Sequence, residues 1–358
     1  MKRFILSVIA MAFIASGCNV GKIKELPPVN LRPQLFVDLG PTCSVPDGMA
    51  IDSNGDIILA VPNYIDYEKL GSKIVKIDKN RKVVDWFVDL PRHRDTGEVH
   101  PMGIEFGPDG NLYIADNQYF VDKNYKSRLL RVIVKDGKPV RCEVAVDGFK
   151  LANAVRWKGN DVYVSDTYFD LKDKKNQSGI YRISLDEMNK NLVSLQPEAK
   201  DRHLIAQFTA KDNGEEETAG ADGVCFDSNG NLYCGNFGDG VISRVSFDEN
   251  DHPIDQKIVV DSPSIECCDG IICDTKTDKI YITNSKNNSV HIYDINANSI
   301  QTLWVNDDDN GANGLLDQPC EPIIRDNYLM VVNFDMTFPG LKNTENDQYN
   351  TISIFKIK

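Results

Sequence analysis

One motif recurs six times along this chain of 358 residues, and its spacing limits the folds that the chain can adopt. Each copy has an acidic or small residue, then usually Gly or Ala, an apolar β run, a turn and a second β run. The copies begin about 47 to 69 residues apart, which is the range of four-stranded propeller blades. They read PDGMAIDSNGDIILA from Pro46, PMGIEFGPDGNLYIAD from Pro101, ANAVRWKGNDVYVSD from Ala152, ADGVCFDSNGNLYCGN from Ala221, CDGIICDTKTDKIYITN from Cys268 and CEPIIRDNYLMVVN from Cys320.

Further strand patterns complete each unit. A third alternating run follows every copy, and a fourth run follows the third in the first five copies. The sixth copy has no fourth run, whereas QLFVDLG (34–40) precedes the first copy and has no blade of its own. Joining that segment to the last copy closes the ring and removes exposed sheet edges. The sequence therefore predicts an all-β, six-bladed β-propeller closed by residues 34–40, because an open sandwich or two small barrels would not explain six like repeats.

The N-terminus has the pattern of a secretory signal peptide. Lys2 and Arg3 precede an apolar stretch over 4–14, which is too short to cross a membrane as a helix, and small residues lead to Cys18. A cysteine in this place is typical of bacterial lipoproteins, in which it is lipidated and becomes the mature N-terminus. We expect lipidation of Cys18, and plain secretion with cleavage nearby is the alternative.

These patterns divide the chain into three parts. Residues 1–17 form the signal peptide, the polar and Pro-containing segment 18–33 forms a tether, and residues 34–358 form the propeller. A lipid anchor holds an otherwise soluble body at a membrane surface. The sequence thus predicts an exported lipoprotein of the bacterial cell envelope, facing the periplasm or the cell surface, that meets the membrane only through its anchor.

The composition is acidic, with a formal net charge of −13, and no basic patch stands out. Nucleic-acid binding needs clustered Lys and Arg for contacts with phosphates, so the sequence argues against that class of function. A closed ring offers no free strand for edge-to-edge pairing, which favours a monomer.

Nine cysteines are present, and eight of them follow Cys18. Their spacing lacks a CxxC zinc pattern. Export permits disulfides without requiring them. Cys43 and Cys320 lie where the first and last blades adjoin, so they are candidates for a disulfide, and buried free thiols are the alternative.

Long loops are predicted on one face of the propeller, where the second strand of each blade connects to the third. Function concentrates on such loops, and aromatic walls beside polar groups suit small organic ligands. We predict that Asn117, Tyr119 and Tyr168 contact a small-molecule substrate, and simple loop packing is the alternative for each aromatic. The loop aromatics are Tyr64, Tyr67, Tyr119, Phe120, Tyr168, Phe169, Phe334 and Phe338.

The first residue of each innermost strand points toward the mouth of the central channel, and we call these six positions the lip. Five of the six carry a carboxylate or an amide. Clustered carboxylates repel one another unless a cation neutralises them, and hard oxygen atoms are the ligands that calcium takes. We predict a site for Ca²⁺ or another divalent cation, and a solvated, metal-free channel is the alternative. The lip residues are Asp47, Met102, Asn153, Asp222, Asp269 and Glu321.

Within the lip, Asp47, Asn153 and Asp222 are the first-choice metal ligands. Asp269 and Glu321 are second-line ligands, or groups that bind the substrate or act as acid or base beside the metal.

Two segments, ADGVCFDSNGNLYCGNFGDGVISRV (221–245) and ANAVRW (152–157), carry a family resemblance. They resemble the gluconolactonase and senescence-marker-protein family, with the paraoxonases as more distant relatives. The first is similar to the family's blade with a metal-binding Asp, here Asp222. The second is similar to its ANG-type motif, which puts Asn153 on a metal-binding Asn, and Asp47 stands where the family has a metal-binding Glu. The resemblance implies a divalent site formed by these three residues.

The lip of the second blade departs from that family. Relatives have an Asn there that contacts metal or substrate, whereas this chain has Pro101 and Met102. His100 and Asn117 are candidates to compensate. His100 is also a candidate general base beside the lip, and a packing or surface histidine is the alternative.

The resemblance implies hydrolysis of a lactone or related ester, in which calcium polarises the carbonyl group and stabilises the developing oxyanion. Asp222 would bind the metal and orient or activate the attacking water. The alternative is a non-catalytic, lipid-anchored propeller that binds a sugar or a protein partner at the same mouth, and the departure at the second lip favours it. No GxSxG elbow, phosphate loop or dinucleotide motif is present in the sequence, which argues against a serine-hydrolase mechanism.

Overall fold

The computed structural model describes residues 23–196, 201–347 and 349–358, and within these ranges it contains six sheets. Each sheet is built on four antiparallel strands. The innermost strands of successive sheets are neighbours, so the sheets are blades around a common channel. The predicted all-β, six-bladed β-propeller is confirmed.

The strands follow the order of the predicted repeats, with the innermost strand of each blade first. Before blade one come β1 (Lys24–Leu26) and β2 (Gln34–Asp38). Blade one consists of β3 (Met49–Ile51), β4 (Ile57–Val61), β5 (Lys73–Ile77) and β6 (Val83–Phe87), and blade two of β7 (Pro101–Phe106), β8 (Leu112–Asp116), β9 (Ser127–Lys135) and β10 (Lys138–Phe149). Blade three consists of β11 (Ala152–Lys158), β12 (Asp161–Asp166), β13 (Gln177–Ser184) and, after the short β14 (Val193–Ser194), β15 (Leu204–Thr209).

The second half of the ring repeats this arrangement. Blade four consists of β16 (Ala221–Phe226), β17 (Leu232–Asn236), β18 (Ile242–Phe247) and β19 (Pro253–Val260), and blade five of β20 (Ile271–Asp274), β21 (Lys279–Asn284), β22 (Ser289–Asp294) and β23 (Ser299–Val305). Blade six contains β24 (Pro319–Arg325), β25 (Tyr328–Asn333) and β26 (Thr351–Lys356). Two four-residue helices lie between strands: α1 (Tyr67–Leu70) and α2 (Leu185–Met188).

The innermost strands approach one another closely around the channel, and the residue after the lip position explains how. A Cβ atom on Gly48 would lie 2.3 Å from the carbonyl oxygen of Met102 in the next blade. A Cβ atom on Gly223 would lie 2.3 Å from the carbonyl oxygen of Asp269. Only glycine leaves room for a neighbouring backbone at these distances. The glycine of the repeat therefore allows adjacent lip residues to meet.

The ring is closed by the N-terminal strand, as predicted for residues 34–40. Strand β2 pairs antiparallel with β26, with Gln34 opposite Ile354 and Asp38 opposite Thr351, so it is the outer strand of blade six. Phe36 is buried in the same apolar cluster as residues of blades one and six. Strand β2, near the N-terminus, and β26, the last strand of the chain, are thus held in one sheet.

The segment 18–33 differs from its prediction as a tether in the part that the structure describes. Strand β1 pairs parallel with β23, the outer strand of blade five. Farther along, the amide of Leu31 donates to the carbonyl of Leu303 at 2.9 Å, and Leu31 packs on the apolar cluster between blades five and six. The outer edge of a blade has unpaired backbone groups, and these residues cover it. Cys18 and the predicted signal peptide (1–17) lie outside the described residues.

The eight cysteines after Cys18 are all free thiols. Cys43 and Cys320 are both buried, yet they form no disulfide, so the alternative of buried thiols is the correct one for this pair. The Cys320 thiol lies 3.6 Å from the carbonyl oxygen of Pro46 and packs at the junction of blades six and one. Neither described helix is long enough to cross a membrane.

Two truncations test the closure of the ring. Removing residues 1–32 deletes β1 but keeps β2, so we expect a folded monomer with a modestly lower urea-unfolding midpoint. Removing residues 1–41 also deletes β2 and exposes the edge of β26, so we expect aggregation or unfolding. Size-exclusion chromatography and urea unfolding measure both. Equal stability of the two truncated chains would contradict the closure.

Candidate functional site

Asn153 and Asp222, two of the predicted metal ligands, are in direct contact. The Asn153 amide nitrogen donates to Oδ2 of Asp222 at 2.8 Å. The hydroxyl of Thr167 donates to the carbonyl of Ala221 at 2.7 Å, which ties blade three to the strand that carries Asp222. The amide oxygen of Asn153 accepts no hydrogen bond from any residue in the described part of the chain. It is therefore available as a further donor atom at the lip.

The acidic lip residues face one another closely enough to change one another's pKa. Burial raises the pKa of Asp47 well above its usual range, and the charges of Asp269 and Glu321 raise it further. Burial likewise raises the pKa of Asp222, and the other three lip carboxylates add to the rise. The structure thus gathers the four lip acids at one end of the channel, where a dry environment makes their negative charges costly.

One cation inside the channel compensates part of this charge. Arg156 of β11 forms a buried ion pair with Glu321, which belongs to blade six on the opposite side of the ring. Burial raises the pKa of Glu321, and the guanidinium of Arg156 offsets part of the rise. Glu105, beside Arg156, also has a pKa raised by burial, to about 7. Glu321, predicted to bind substrate, is therefore engaged by a protein cation.

Asp269 has a partner as well. The Ser285 hydroxyl donates to its carboxylate, and Asp269 is less buried than Asp47 or Asp222. Burial raises the pKa of Asp269 to about 7, and the Ser285 hydrogen bond opposes the rise. Asp269 remains at the lip, next to the predicted metal ligands.

His100 lies behind Tyr64 rather than at the lip. The two rings stack with centroids 4.4 Å apart, and the imidazole Nε2 is 2.7 Å from the carboxylate of Glu98. The Tyr64 hydroxyl donates to the sulfur of Met102 at 3.4 Å. Tyr64 thus stands between the lip and His100, which is 1% exposed. In this structure His100 is buried between Tyr64 and Glu98, and its role as a general base stays a prediction.

Asn117 is fully buried and holds two loop aromatics. Its amide nitrogen donates to the Tyr64 hydroxyl at 3.0 Å, and its amide oxygen accepts from the backbone amide of Tyr119 at 2.9 Å. Both ends of the side chain are therefore used within the protein. Asn117 thus supports the wall of the mouth by holding Tyr64 and the backbone of Tyr119.

Tyr119 and Tyr168 form a stacked pair, with centroids 4.6 Å apart and rings 15° from parallel. They line a cavity of about 890 Å³ between loops of blades two, three and four. The ammonium group of Lys150 lies about 6 Å from both ring centroids. None of the lip carboxylates lines this cavity. Burial raises the pKa of Tyr168, and the negative charges of Glu217 and, more weakly, Asp222 add to the rise.

Residues 102–255 match the model of a family described as the SMP-30/Gluconolactonase/LRE-like region. The chain contains an SMP-30/gluconolactonase/LRE-like region. This confirms the family resemblance over blades two to four. The matched region includes Asn153, Asp222, Tyr119 and Tyr168, whereas Asp47 lies outside it. No curated protein sequence matches the chain.

Solved propellers share the fold at low sequence identity. A calcium-binding protein, regucalcin, from Agrobacterium tumefaciens has a TM-score of 0.57 and 13% identity, covering 93% of this chain and 95% of its own. A gluconolactonase from Xanthomonas campestris has a TM-score of 0.56 and 11% identity, covering 95% and 99%. The PQQ-bound aldose sugar dehydrogenase of Streptomyces coelicolor has a TM-score of 0.56 and 12% identity, covering 92% and 99%. Since one fold carries such different chemistries, it does not by itself decide the reaction.

The lip, which includes Asn153 and Asp222 of the SMP-30/gluconolactonase/LRE-like region, offers the oxygen atoms that a hard cation takes as ligands. No group of three or more His, Cys, Asp and Glu side chains among the described residues is arranged to hold a metal ion. The predicted set contains only two such side chains, Asp47 and Asp222, and its third member is the amide of Asn153. The carboxylate of Asp47 accepts no hydrogen bond from a described residue. Uncompensated oxygens in a buried acidic ring are the observation that fits a divalent cation.

Sequence reasoning missed Arg156 and Ser285. Arg156 had a signal, because ANAVRW places an Arg in an innermost strand, where a buried cation needs an acidic partner. Ser285 had none, since nothing in the sequence separates it from other loop serines. Tyr64 is one of the loop aromatics that the sequence predicts. Its position over Met102 depends on how blades one and two pack, which the sequence pattern does not show.

A double-mutant cycle tests the ion pair in the channel. Arg156→Met leaves Glu321 buried without its cation, so we expect the unfolding free energy to fall by about 3 kcal/mol. Adding Glu321→Gln should recover much of that loss. Urea unfolding measures all variants, and Arg94→Met, at an exposed arginine, serves as the control with a change below about 0.5 kcal/mol. Additive effects of the two substitutions would show that the residues do not interact.

Proposed function

We propose that this chain is a hydrolase of a lactone or related ester that acts at the channel mouth and uses calcium or another divalent cation. The family region supports a lactonase-type hydrolase in general terms. The observation that carries the proposal is the buried ring of lip acids, in which Asn153 fixes Asp222. Asp47, Asn153 and Asp222 are the residues that would hold the cation.

The proposed mechanism divides its tasks among these side chains. A bound divalent cation would polarise the substrate carbonyl and stabilise the charge that develops on its oxygen. Asp222, held by the Asn153 amide, orients the attacking water through its carboxylate. Tyr64 and Met102 cover the second-blade side of the lip and keep bulk water away. Tyr168, which lines the 890 Å³ cavity, contacts the body of the substrate.

A non-catalytic propeller is the second candidate function. His100 is shielded by Tyr64, and Glu321 is bound by Arg156, so neither is free to act as a base. Such a protein would bind a sugar or a protein partner at the same mouth. Under either function we propose an exported monomer, anchored to the cell envelope through Cys18.

Isosteric replacement of Asp222 tests the proposed hydrolase. Asp222→Asn keeps the shape of the side chain but removes its charge, so we expect calcium affinity at the lip to fall by about 100-fold. Hydrolysis across a panel of lactones and aryl esters should fall by about 100-fold or more. The matched control is Asp326→Asn, at an exposed turn of blade six, and it should behave as the parent does.

Calorimetric titration with calcium and a pH-stat hydrolysis assay provide the two readouts. Calcium binding that depends on Asp222, without hydrolysis of any substrate, would favour the binding protein. Full turnover by Asp222→Asn would remove Asp222 from the mechanism.

A further inference from the structure

A second group of oxygen atoms, outside the channel, contains a buried carboxylate without a partner. Asp317 is 0% exposed, and neither of its carboxylate oxygens has a hydrogen-bond partner among the described residues. Buried polar atoms are almost always satisfied in native proteins, and an isolated buried carboxylate is strongly unfavourable. Something beyond the described side chains must therefore satisfy Asp317.

The topology of blade six places a second acid opposite Asp317. Pro319 of β24 pairs with Asn333 of β25. Asp317 lies two residues before Pro319, and Asp335 lies two residues after Asn333, so the two acids meet at the same end of the blade. Each is 2% exposed or less, and the charge of Asp335 contributes to the raised pKa of Asp317, for which burial is the main cause.

The loop after β25 adds an amide oxygen to this pair. The Asn343 amide nitrogen donates to Oδ1 of Asp335 at 3.2 Å, which brings the amide to the acids. Asn343 is 2% exposed, and its amide oxygen has no hydrogen-bond partner within the described residues. Two buried side chains with unpartnered oxygen atoms, Asp317 and Asn343, thus lie near Asp335.

The turn between blades five and six brings more negative charge. A Cβ atom on Gly311 would lie 3.5 Å from Cβ of Asp317, so this turn packs directly over the buried acid. Asp308 and Asp309 precede Gly311, and both add to the raised pKa of Asp317 after burial. None of the acids 308, 309, 317 and 335 forms an ion pair with a Lys, Arg or His in the described ranges. Among the described residues, Lys342 forms its ion pair with Asp307, whose side chain is fully exposed.

We propose that Asp317, Asp335 and Asn343 form a second divalent-cation site, at the loop end of blade six and separate from the lip. The donors are all oxygen atoms, which suits Ca²⁺, whereas zinc sites use Cys and His. A proton on Asp317 would remove its charge but leave the carboxyl group without a hydrogen bond. A cation satisfies the charge and the lone pairs together. This set consists of two acids and one amide. Among the described residues, no group of three or more His, Cys, Asp and Glu side chains could hold a metal ion, and the proposed site does not require such a group.

The position of the site indicates what the cation would do. Asp317 precedes the innermost strand of blade six, and Asp335 and Asn343 belong to the loop before β26, to which the closing strand β2 is paired. The same loop carries Phe338, whose ring lies 6.4 Å from that of Phe120 in blade two. A cation bound here fastens this loop to the blade that closes the ring. The proposal does not depend on hydrolysis at the lip.

Calcium titration and thermal unfolding of the full chain test the site. We expect Asp317→Asn to lower the calcium stoichiometry by one, while Asp222→Asn, at the lip, leaves this site intact. Calcium at 100 times its Kd should raise the Tm of the parent by roughly 5–10 °C, and Asp317→Asn should lose the part of that rise that comes from this site. In EDTA, Asp317→Asn should be at least as stable as the parent, because the metal-free parent must keep this buried carboxyl group either charged without a partner or protonated at an energetic cost.

Asp317→Asn should lower the Tm relative to the parent in calcium but not in EDTA. This difference distinguishes a metal ligand from a residue that only packs. A packing role predicts the same loss of Tm in both conditions, and that result would overturn the proposal. Unchanged calcium stoichiometry in Asp317→Asn would overturn it as well. Asp335→Asn is the second variant if Asp317→Asn fails to fold, with the same expected pattern. Asp326→Asn, at the other end of blade six, removes one exposed charge and should match the parent throughout.

Discussion

The close approach of six innermost strands around one channel is the constraint on which the rest of the structure depends. Each strand ends next to its neighbour's backbone, and glycines such as Gly48 and Gly223 make that distance possible. The same approach forces the side chains before those glycines into a small ring. The closeness of the acidic lip residues is thus a direct consequence of how the blades pack, and so is the electrostatic cost of that closeness.

A different partner offsets this electrostatic cost at each of three lip acids. Glu321 has the guanidinium of Arg156, Asp222 has the Asn153 amide, and Asp269 has the Ser285 hydroxyl. Asp47 has no such partner among the described residues. The remaining negative charge lies on Asp47 of blade one and Asp222 of blade four, on opposite sides of the lip, and the proposed hydrolase depends on a cation bound between them.

The loops over the mouth divide into two regions with different chemistry. Tyr64, Phe120 and Phe338 form an aromatic cover over blades six, one and two. The stacked Tyr119 and Tyr168 instead line a large cavity over blades two to four. In the proposed function the first region shields the lip from water, and the second has the size of a site for an organic molecule.

The repeats alone determined the fold, because a four-strand unit that recurs six times can bury its faces only against its neighbours. The displaced segment 34–40 also determined closure of the ring, and the first residue of each copy located the lip. Side-chain partners were decided only by the tertiary structure. Arg156 meets Glu321 across three blades, His100 is hidden by a tyrosine from another blade, and Asp317 is isolated by a turn from blade five. Such contacts join residues far apart in sequence, and their distances depend on the curvature of the ring, which no local pattern encodes.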